Sequence, residues 1–393
     1  MKVSILFGSG IGRHYELGFL SGFSSKSLFI DIIGGTNAIK DSKILKNQNF
    51  NYYNFFDKIY NNTNIWGKVI IIIKYYIKLI KYALNTDSKI FHIQWFNKVY
   101  IFDRTILNIL YKIFGKKLVF TAHNIVPHTF HTGRKSYIER LSITFMYKIV
   151  DHLIVHTDKM KRQLIEEFKI KGEKITVIPH GILNSASKTN LSENMAKKKL
   201  KLNTSLKTIL FFGNIAPYKG LEYLIKAIAV LKSKYNDFRL IIAGEVKKEC
   251  IQYWKNIEEM IDYYNIRNNL LIKPVLIPDE EVEVFFKAAD ILILPYVDIF
   301  QSGVLFLSFY FGLPVIATNV GSLKEDIIEG ESGYICKSKD PDDMAKTIET
   351  YFKNDLYKNL KENRKKIINY ANKKYSWNNI GTRTYKLYEN LLV

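Results

Sequence analysis

The residues in this sequence whose types could do chemistry stand mostly at the ends of apolar runs. Gln301-Ser302-Gly303-Val304 opens an apolar stretch that reaches Phe311, with Gly312-Leu313-Pro314 and the β-branched run 315–318 behind it. The pattern predicts a polar turn, a buried helix, a tight turn and a short strand. N–H groups at a helix start, together with the positive end of its dipole, form a seat for a phosphate. Gly303 lets a ligand come close to the backbone. An ordinary buried strand–helix unit has the same letters, so the stretch needs support from elsewhere. Upstream, Gly213 and Asn214 close the run ILFF, and Lys219 stands in the loop beyond. A lysine there can neutralise a diphosphate, although a solvated surface lysine looks the same. Glu245 closes the run LIIAG. His123 follows directly on the apolar run 118–121, where an imidazole can donate a hydrogen bond to a hydroxyl or to developing charge. A satisfied structural histidine is the competing reading. Near the start, Gly8-Ser9-Gly10-Ile11-Gly12 follows a first strand. It falls short of a dinucleotide fingerprint, because the next glycine is Gly18.

The elements that must position these residues are legible as short apolar runs. Residues 209–213, 240–243, 270–273 and 291–294 read as buried strands, with amphipathic helix over 221–232 and helices over 258–264 and 278–289. Earlier in the chain, 3–7, 28–33, 90–95, 118–121, 151–155 and 174–178 read as strands, and 136–150 as helix. In an open α/β sheet, ligands bind outside the carboxyl ends of the strands, where the residues above fall. Residues 36–64 are rich in Asn and Lys and read as variable loop with strand near 50–55. Residues 184–205 are polar and read as linker with a short helix. The stretch 66–84 punctuates an apolar helix with Lys68, Lys74, Lys78 and Lys81, and adds Trp66, Tyr75, Tyr76 and Tyr82. It fits an interfacial helix on a membrane surface, or a helix covering the sheet with its lysines reaching out to water.

The chain's 393 residues suffice for two α/β domains. Cys250 and Cys336 have no metal or redox spacing, which points to a reducing compartment. The start reads as a strand and glycine loop rather than a signal peptide, and no run of eighteen uncharged apolar residues occurs. The formal charge of +21 suggests an anionic partner: nucleic acid, a bilayer surface or a sugar nucleotide. Dispersed lysines without a nucleic-acid motif favour the bilayer, although heavy use of Ile, Asn and Lys also fits an AT-rich genome.

The series FFGNIAPYKGLEYLI, LIIAGE, ADILILPY, QSGVLFLSFYFGLPVIATNVGSLKEDI and GESGYI resembles the donor-binding half of a family 4 glycosyltransferase. Order and spacing carry the likeness over about 205–340, and it is looser in the N-terminal half. The resemblance implies the GT-B fold, an α/β architecture of two Rossmann-like domains facing across a cleft. The first domain, 1–185, would bind acceptor and be completed by a returning helix at 376–393. A linker, 186–205, would lead to a donor-binding domain, 206–375. By the same likeness His123 is the catalytic-site histidine that meets the donor sugar, and Lys219 is the diphosphate lysine. Gly10, Gly213, Asn214, Glu245, Gln301, Ser302, Gly303 and Val304 fall at donor-contacting positions, and His128 and His131 at possible acceptor contacts. The implied reaction is retaining hexose transfer from a UDP- or GDP-sugar to a lipid-linked or saccharide acceptor in cell-envelope polysaccharide assembly. It needs no metal or other cofactor, no nucleic acid, and a cytoplasmic place on the inner face of the membrane. Two departures stand out. The family's arginine before the lysine is absent from 214–216, and the paired glutamates fall on Ile299 and Leu307. A degenerate member that binds nucleotide sugar or membrane without turnover is therefore the second reading. A nicotinamide oxidoreductase is a weaker third, lacking the glycine fingerprint and its acidic partner.

Overall fold

The computed structural model describes residues 1–8, 12–35, 37–40, 42–55, 65–97, 99–125, 134–182 and 188–393. Gly10, His128 and His131 lie outside these residues. The chain forms two compact units, Met1–Gly181 with Ser376–Val393, and Ile182–Tyr375. Each is built on a parallel sheet whose strands are apolar on both faces, because helices cover both sides.

In the first unit the strands are β1 (Lys2–Gly8), β2 (Phe29–Gly34), β3 (Phe50–Tyr53), β4 (Ile90–Ile93), β5 (Lys117–Ala122), β6 (His152–Val155) and β7 (Ile175–Val177). Their order is β3-β2-β1-β4-β5-β6-β7. The second unit has β8 (Lys207–Phe212), β9 (Phe238–Ala243), β10 (Leu270–Lys273), β11 (Ile291–Leu294), β12 (Val315–Thr318) and β13 (Gly333–Cys336), ordered β10-β9-β8-β11-β12-β13. Both sheets reverse their winding direction once, between β1 and β4 and between β8 and β11. That is the point at which an open α/β sheet leaves a crevice for a ligand.

The helix Trp377–Leu392 belongs to the first unit. Its first residue, Trp377, is buried in the core cluster that holds Tyr15, Phe19 and Ile178. The indole fills a slot that two glycines leave open. A Cβ on Gly18 would lie 2.1 Å from the indole, and one on Gly181 2.3 Å from it. Trp377 is thus locked to the helix Arg13–Ser21 and to the turn after β7.

Much of the segment expected as a linker is packed into the second unit. Lys197, on the helix Glu193–Lys199, makes a buried ion pair of 3.1 Å with Asp290. The Thr208 N–H donates to the same carboxylate at 2.7 Å, which ties this helix to the start of β8. Thr189 donates through its N–H and its hydroxyl to Glu283, both at 2.8 Å. The edge strand β13 was not anticipated from the sequence, its four residues being too few to show a period. No described helix is long and apolar enough to cross a membrane.

Candidate functional site

At the switch point of the second sheet, Gly213 follows β8 and Tyr296 follows β11. Lys219 ends a short 3-10 turn, Pro217–Lys219. Gly220 then adopts φ +66°, and a Cβ there would lie 2.1 Å from the Pro295 carbonyl. Only glycine lets the loop fold this tightly against the end of β11. The Val297 N–H donates to the Tyr218 carbonyl at 3.0 Å and fixes the same approach. As a result the Lys219 ammonium is 94% buried and donates to the Tyr296 hydroxyl at 2.8 Å, 4.5 Å from the ring centre. Tyr296 passes the bond on to Ser302 Oγ at 3.0 Å. Its carbonyl accepts from Thr318 Oγ1 at 2.6 Å, so the phenol is held at both ends.

Ser302 caps the helix Gly303–Tyr310 by position, but its hydroxyl is turned to Tyr296 instead of the helix. The N–H groups of Gly303 and Val304 belong to the first turn, which has no intrahelical acceptor for them. Gly213 lies beside both features. A Cβ there would sit 3.4 Å from Val304 Cγ2 and 3.5 Å from Lys219 Nζ. Lys219, Gly213, Ser302, Gly303 and Val304 therefore converge. Burial works against the Lys219 charge, while the phenol oxygens of Tyr296 and Tyr218 outweigh it and hold the pKa above the ordinary lysine value. No carboxylate pairs with the ammonium among the described residues. A buried cation with no acidic partner, beside open helix N–H groups, has the chemistry to receive an anion.

Asn214 and Glu245 are half-buried at the ends of β8 and β9. The Glu245 carbonyl accepts from the Ile215 N–H at 2.8 Å. Gln301 is directed elsewhere: its amide nitrogen lies 3.5 Å from Asp326 Oδ2, and its Oε1 is buried with no partner among the described residues. Asp326 also accepts from the Tyr375 hydroxyl at 2.8 Å, and burial pushes its carboxyl up to about 6. Ile299 and Leu307, where the family carries acids, pack against the core of this unit. Tyr296 is marked in the sequence only by its place after the run ILIL, and Asp326 by nothing. Tyr296 stands 77 positions from Lys219, and a tyrosine after a strand has no spacing signal.

At the carboxyl end of the first sheet, one strand beyond its switch point, His123 is the centre of a cluster rather than an isolated ring. It stacks on Trp95, with centroids 4.3 Å apart and planes 4° apart, and Tyr15 meets it edge-on at 4.8 Å. Its two ring nitrogens both have polar neighbours: Nδ1 lies 3.0 Å from His156 Nε2, and Nε2 lies 3.2 Å from Gln94 Oε1. His156 Nδ1 lies 3.0 Å from the Ile178 carbonyl, which can only accept. A neutral His156 therefore carries its proton on Nδ1, so His123 Nδ1–H donates to His156. His123 Nε2 is then a lone pair that faces Gln94 Oε1, while the Gln94 NH2 points to His92 Nε2 at 3.1 Å; rotating the Gln94 amide by 180° would turn its NH2 to His123 instead. Beyond Gln94 the chain continues to His92, which meets Thr121 at 2.7 Å and Tyr388 of the returning helix. A ligand hydroxyl reaching His123 Nε2 would displace the Gln94 amide.

Burial keeps these rings neutral. The pKa of His92 is lowered to about 3 and that of His156 to about 4, and His123 is lowered well below the usual value, first by burial and then by its histidine neighbours. In the unfolded chain each would titrate near 6.5. Between about pH 4 and 6.5 the unfolded state thus binds more protons, and stability rises with pH. His92 and His156 should each withdraw about 3 kcal/mol as the pH falls through that window. Urea unfolding at pH 7 and pH 5 tests this. A midpoint unchanged over the range would mean that these rings are not held neutral.

The comparisons with known proteins show the family and the fold. Residues 192–374 match the family described as "Glycosyl transferases group 1", and residues 67–183 match "Glycosyltransferase Family 4". A D-inositol 3-phosphate glycosyltransferase of Corynebacterium urealyticum is 26% identical over 283 residues, covering 67% of this chain and 65% of that protein. An uncharacterized glycosyltransferase of Methanocaldococcus jannaschii is 26% identical over 60% of this chain and 59% of its own length. The chain thus spans somewhat less than two thirds of these relatives. Among solved structures, HepE of Anabaena in complex with UDP superposes with a TM-score of 0.75 at 15% identity, covering 99% of this chain and 100% of that one. WaaG, described as a glycosyltransferase involved in lipopolysaccharide biosynthesis, gives 0.68 at 15%, covering 98% and 99%. The shared fold is GT-B.

Proposed function

The chain belongs to glycosyltransferase family 4, and from that premise we propose that it transfers a hexose, with retention, from a nucleotide-diphosphate sugar to a lipid-linked or saccharide acceptor. The observation that carries this reading is the buried Lys219 ammonium, without a carboxylate partner, beside the N-terminus of Gly303–Tyr310. In the transfer the bond from C1 to the diphosphate oxygen breaks, and a bond from C1 to the acceptor oxygen forms on the same face. The acceptor proton passes to the departing diphosphate. Lys219 and the helix N-terminus offset the charge that grows on that group, so the proposed reaction relies on protein cations and not on a metal. UDP-hexoses are the first donors to test, because HepE has been solved with UDP and with UDP-glucose. A role in cell-envelope assembly follows the description of WaaG as involved in lipopolysaccharide biosynthesis, and a place at an anionic membrane surface follows from the formal charge of +21.

A panel of UDP- and GDP-sugars in thermal-shift measurements tests the reading. A ligand that binds the native state raises its melting point by mass action, by about 2.7 kcal/mol at a hundredfold excess over Kd. One donor should raise the melting point and should be consumed when acceptor is supplied. If a donor binds and no transfer or donor hydrolysis follows, the degenerate reading replaces this one. The acid-to-aliphatic change at Ile299 and Leu307 favours that alternative. If no nucleotide sugar binds, the transfer reading fails and the degenerate reading stands as a membrane binder.

A further inference from the structure

The helix Ile65–Asn85 is oriented against expectation for a helix that covers a sheet. Its buried residues are Tyr75, Tyr76, Leu79 and Ala83. Its aliphatic ridge faces outward: Trp66 is 76% exposed, Ile70 51%, Ile73 52%, Ile77 59% and Leu84 57%. Lys74, Lys78 and Lys81 are exposed along one flank of that ridge, and no acidic residue occurs between positions 65 and 85.

The ridge is not alone. The adjoining helical segment from Tyr100 to Ile113 exposes Tyr100, Ile101, Ile106, Ile109 and Ile113, with Val99 just before it. The next helix, Arg134–Ile149, exposes Tyr137, Ile138, Leu141 and Phe145. Sixteen of the 27 large apolar residues exposed among the described residues lie on these three neighbours. Polar contacts join them beneath the surface. Tyr76 donates to Asp103 at 2.8 Å, Tyr75 donates to Asn97, and Arg104 donates to Ser142 at 3.4 Å. Asp103, the acidic side chain of the middle segment, is buried and accepts from Asn97 and Tyr76, so it does not face outward.

We propose that this three-helix layer docks on an anionic lipid bilayer, with the isoleucine ridge entering the headgroup boundary and the lysine flank meeting lipid phosphates. The inference rests on the membrane-surface reading above and gives it a place in the fold. A water-facing apolar area on this scale marks an interaction surface. The cationic flank and the aromatic residues Trp66, Tyr100 and Tyr137 select a bilayer over an apolar protein partner. Interfacial helices combine these features, and each lysine near an anionic surface strengthens the attraction.

Sedimentation with vesicles of phosphatidylcholine and phosphatidylserine tests the proposal on the full chain. Wild type should bind mixed vesicles and bind pure phosphatidylcholine at least about tenfold less. The double variant Ile73→Glu/Ile77→Glu should bind mixed vesicles at least about tenfold more weakly, with an unchanged melting point, since both side chains already face water. Lys74→Glu/Lys81→Glu should lose the preference for phosphatidylserine. If the isoleucine variant binds as wild type does, the surface is misplaced while the membrane reading stands. If wild type binds no vesicle, the membrane reading itself falls. If wild type is a dimer that the isoleucine variant makes monomeric, the layer is a protein interface and the proposal is wrong.

Discussion

Lys219→Met should lower kcat/KM for sugar transfer by about a thousandfold, with loss of donor affinity in calorimetry. The magnitude follows from removing a preorganised charge from a buried site, which costs about 3–4 kcal/mol of transition-state stabilisation. Water cannot take its place, because the ammonium is almost wholly enclosed by the Pro217–Lys219 turn and Tyr296. Tyr296→Phe is the informative companion. It keeps the ring under the ammonium and deletes only the oxygen between Lys219 and Ser302. A hydrogen bond to a charged group contributes about 1.5–3 kcal/mol, so a loss of roughly ten- to a hundredfold is expected. If Lys219→Met keeps donor affinity, the anion seat is elsewhere. If Tyr296→Phe is silent, the lysine is oriented by its loop alone.

Trp377→Ala should destabilise the first unit by about 3–5 kcal/mol, the range for emptying a buried large aromatic site. Few neighbours can move in, because two of the walls are backbone at Gly18 and Gly181. The drop in melting temperature should be about 10 °C for a unit of this size. Gly18→Ala should also destabilise, since its methyl would lie 2.1 Å from the indole. In the Trp377→Ala background the same methyl points into the vacated slot, so the two costs should not add. A double-mutant cycle measured by urea unfolding reads this coupling. Additive costs would show that the indole and Gly18 do not share one slot.

The strands were legible because a doubly covered parallel sheet needs uninterrupted apolar runs, and ILFF, LIIA and ILIL are such runs. Lys219 and Ser302 were legible because Gly220 and Gly303 mark the backbone turns beside them. Gln94 and His156 have no such mark, and Tyr296 has only its place after ILIL. Each acts through a partner on another strand, and sequence distance hides that contact: 29 positions separate Gln94 from His123, and 33 separate His156 from it. The isoleucines of Ile65–Asn85 were ambiguous for a different reason. Apolar side chains recur around most of this helix, so periodicity cannot say which side meets the sheet. Tyr75 and Tyr76 decide it through Asn97 and Asp103.

The returning helix also reverses the usual relation between order of synthesis and order of folding. Domains commonly fold as they leave the ribosome, the N-terminal one first. Here the second unit is one continuous stretch, Ile182–Tyr375, whereas the first takes in Ser376–Val393 as well. Until those last residues emerge, the slot between Gly18 and Gly181 stays empty and His92 lacks the Tyr388 hydroxyl. The half of the protein that is made first is therefore the half completed last. Its histidine cluster is assembled only after the lysine site, further along the chain, has all of its sequence in hand.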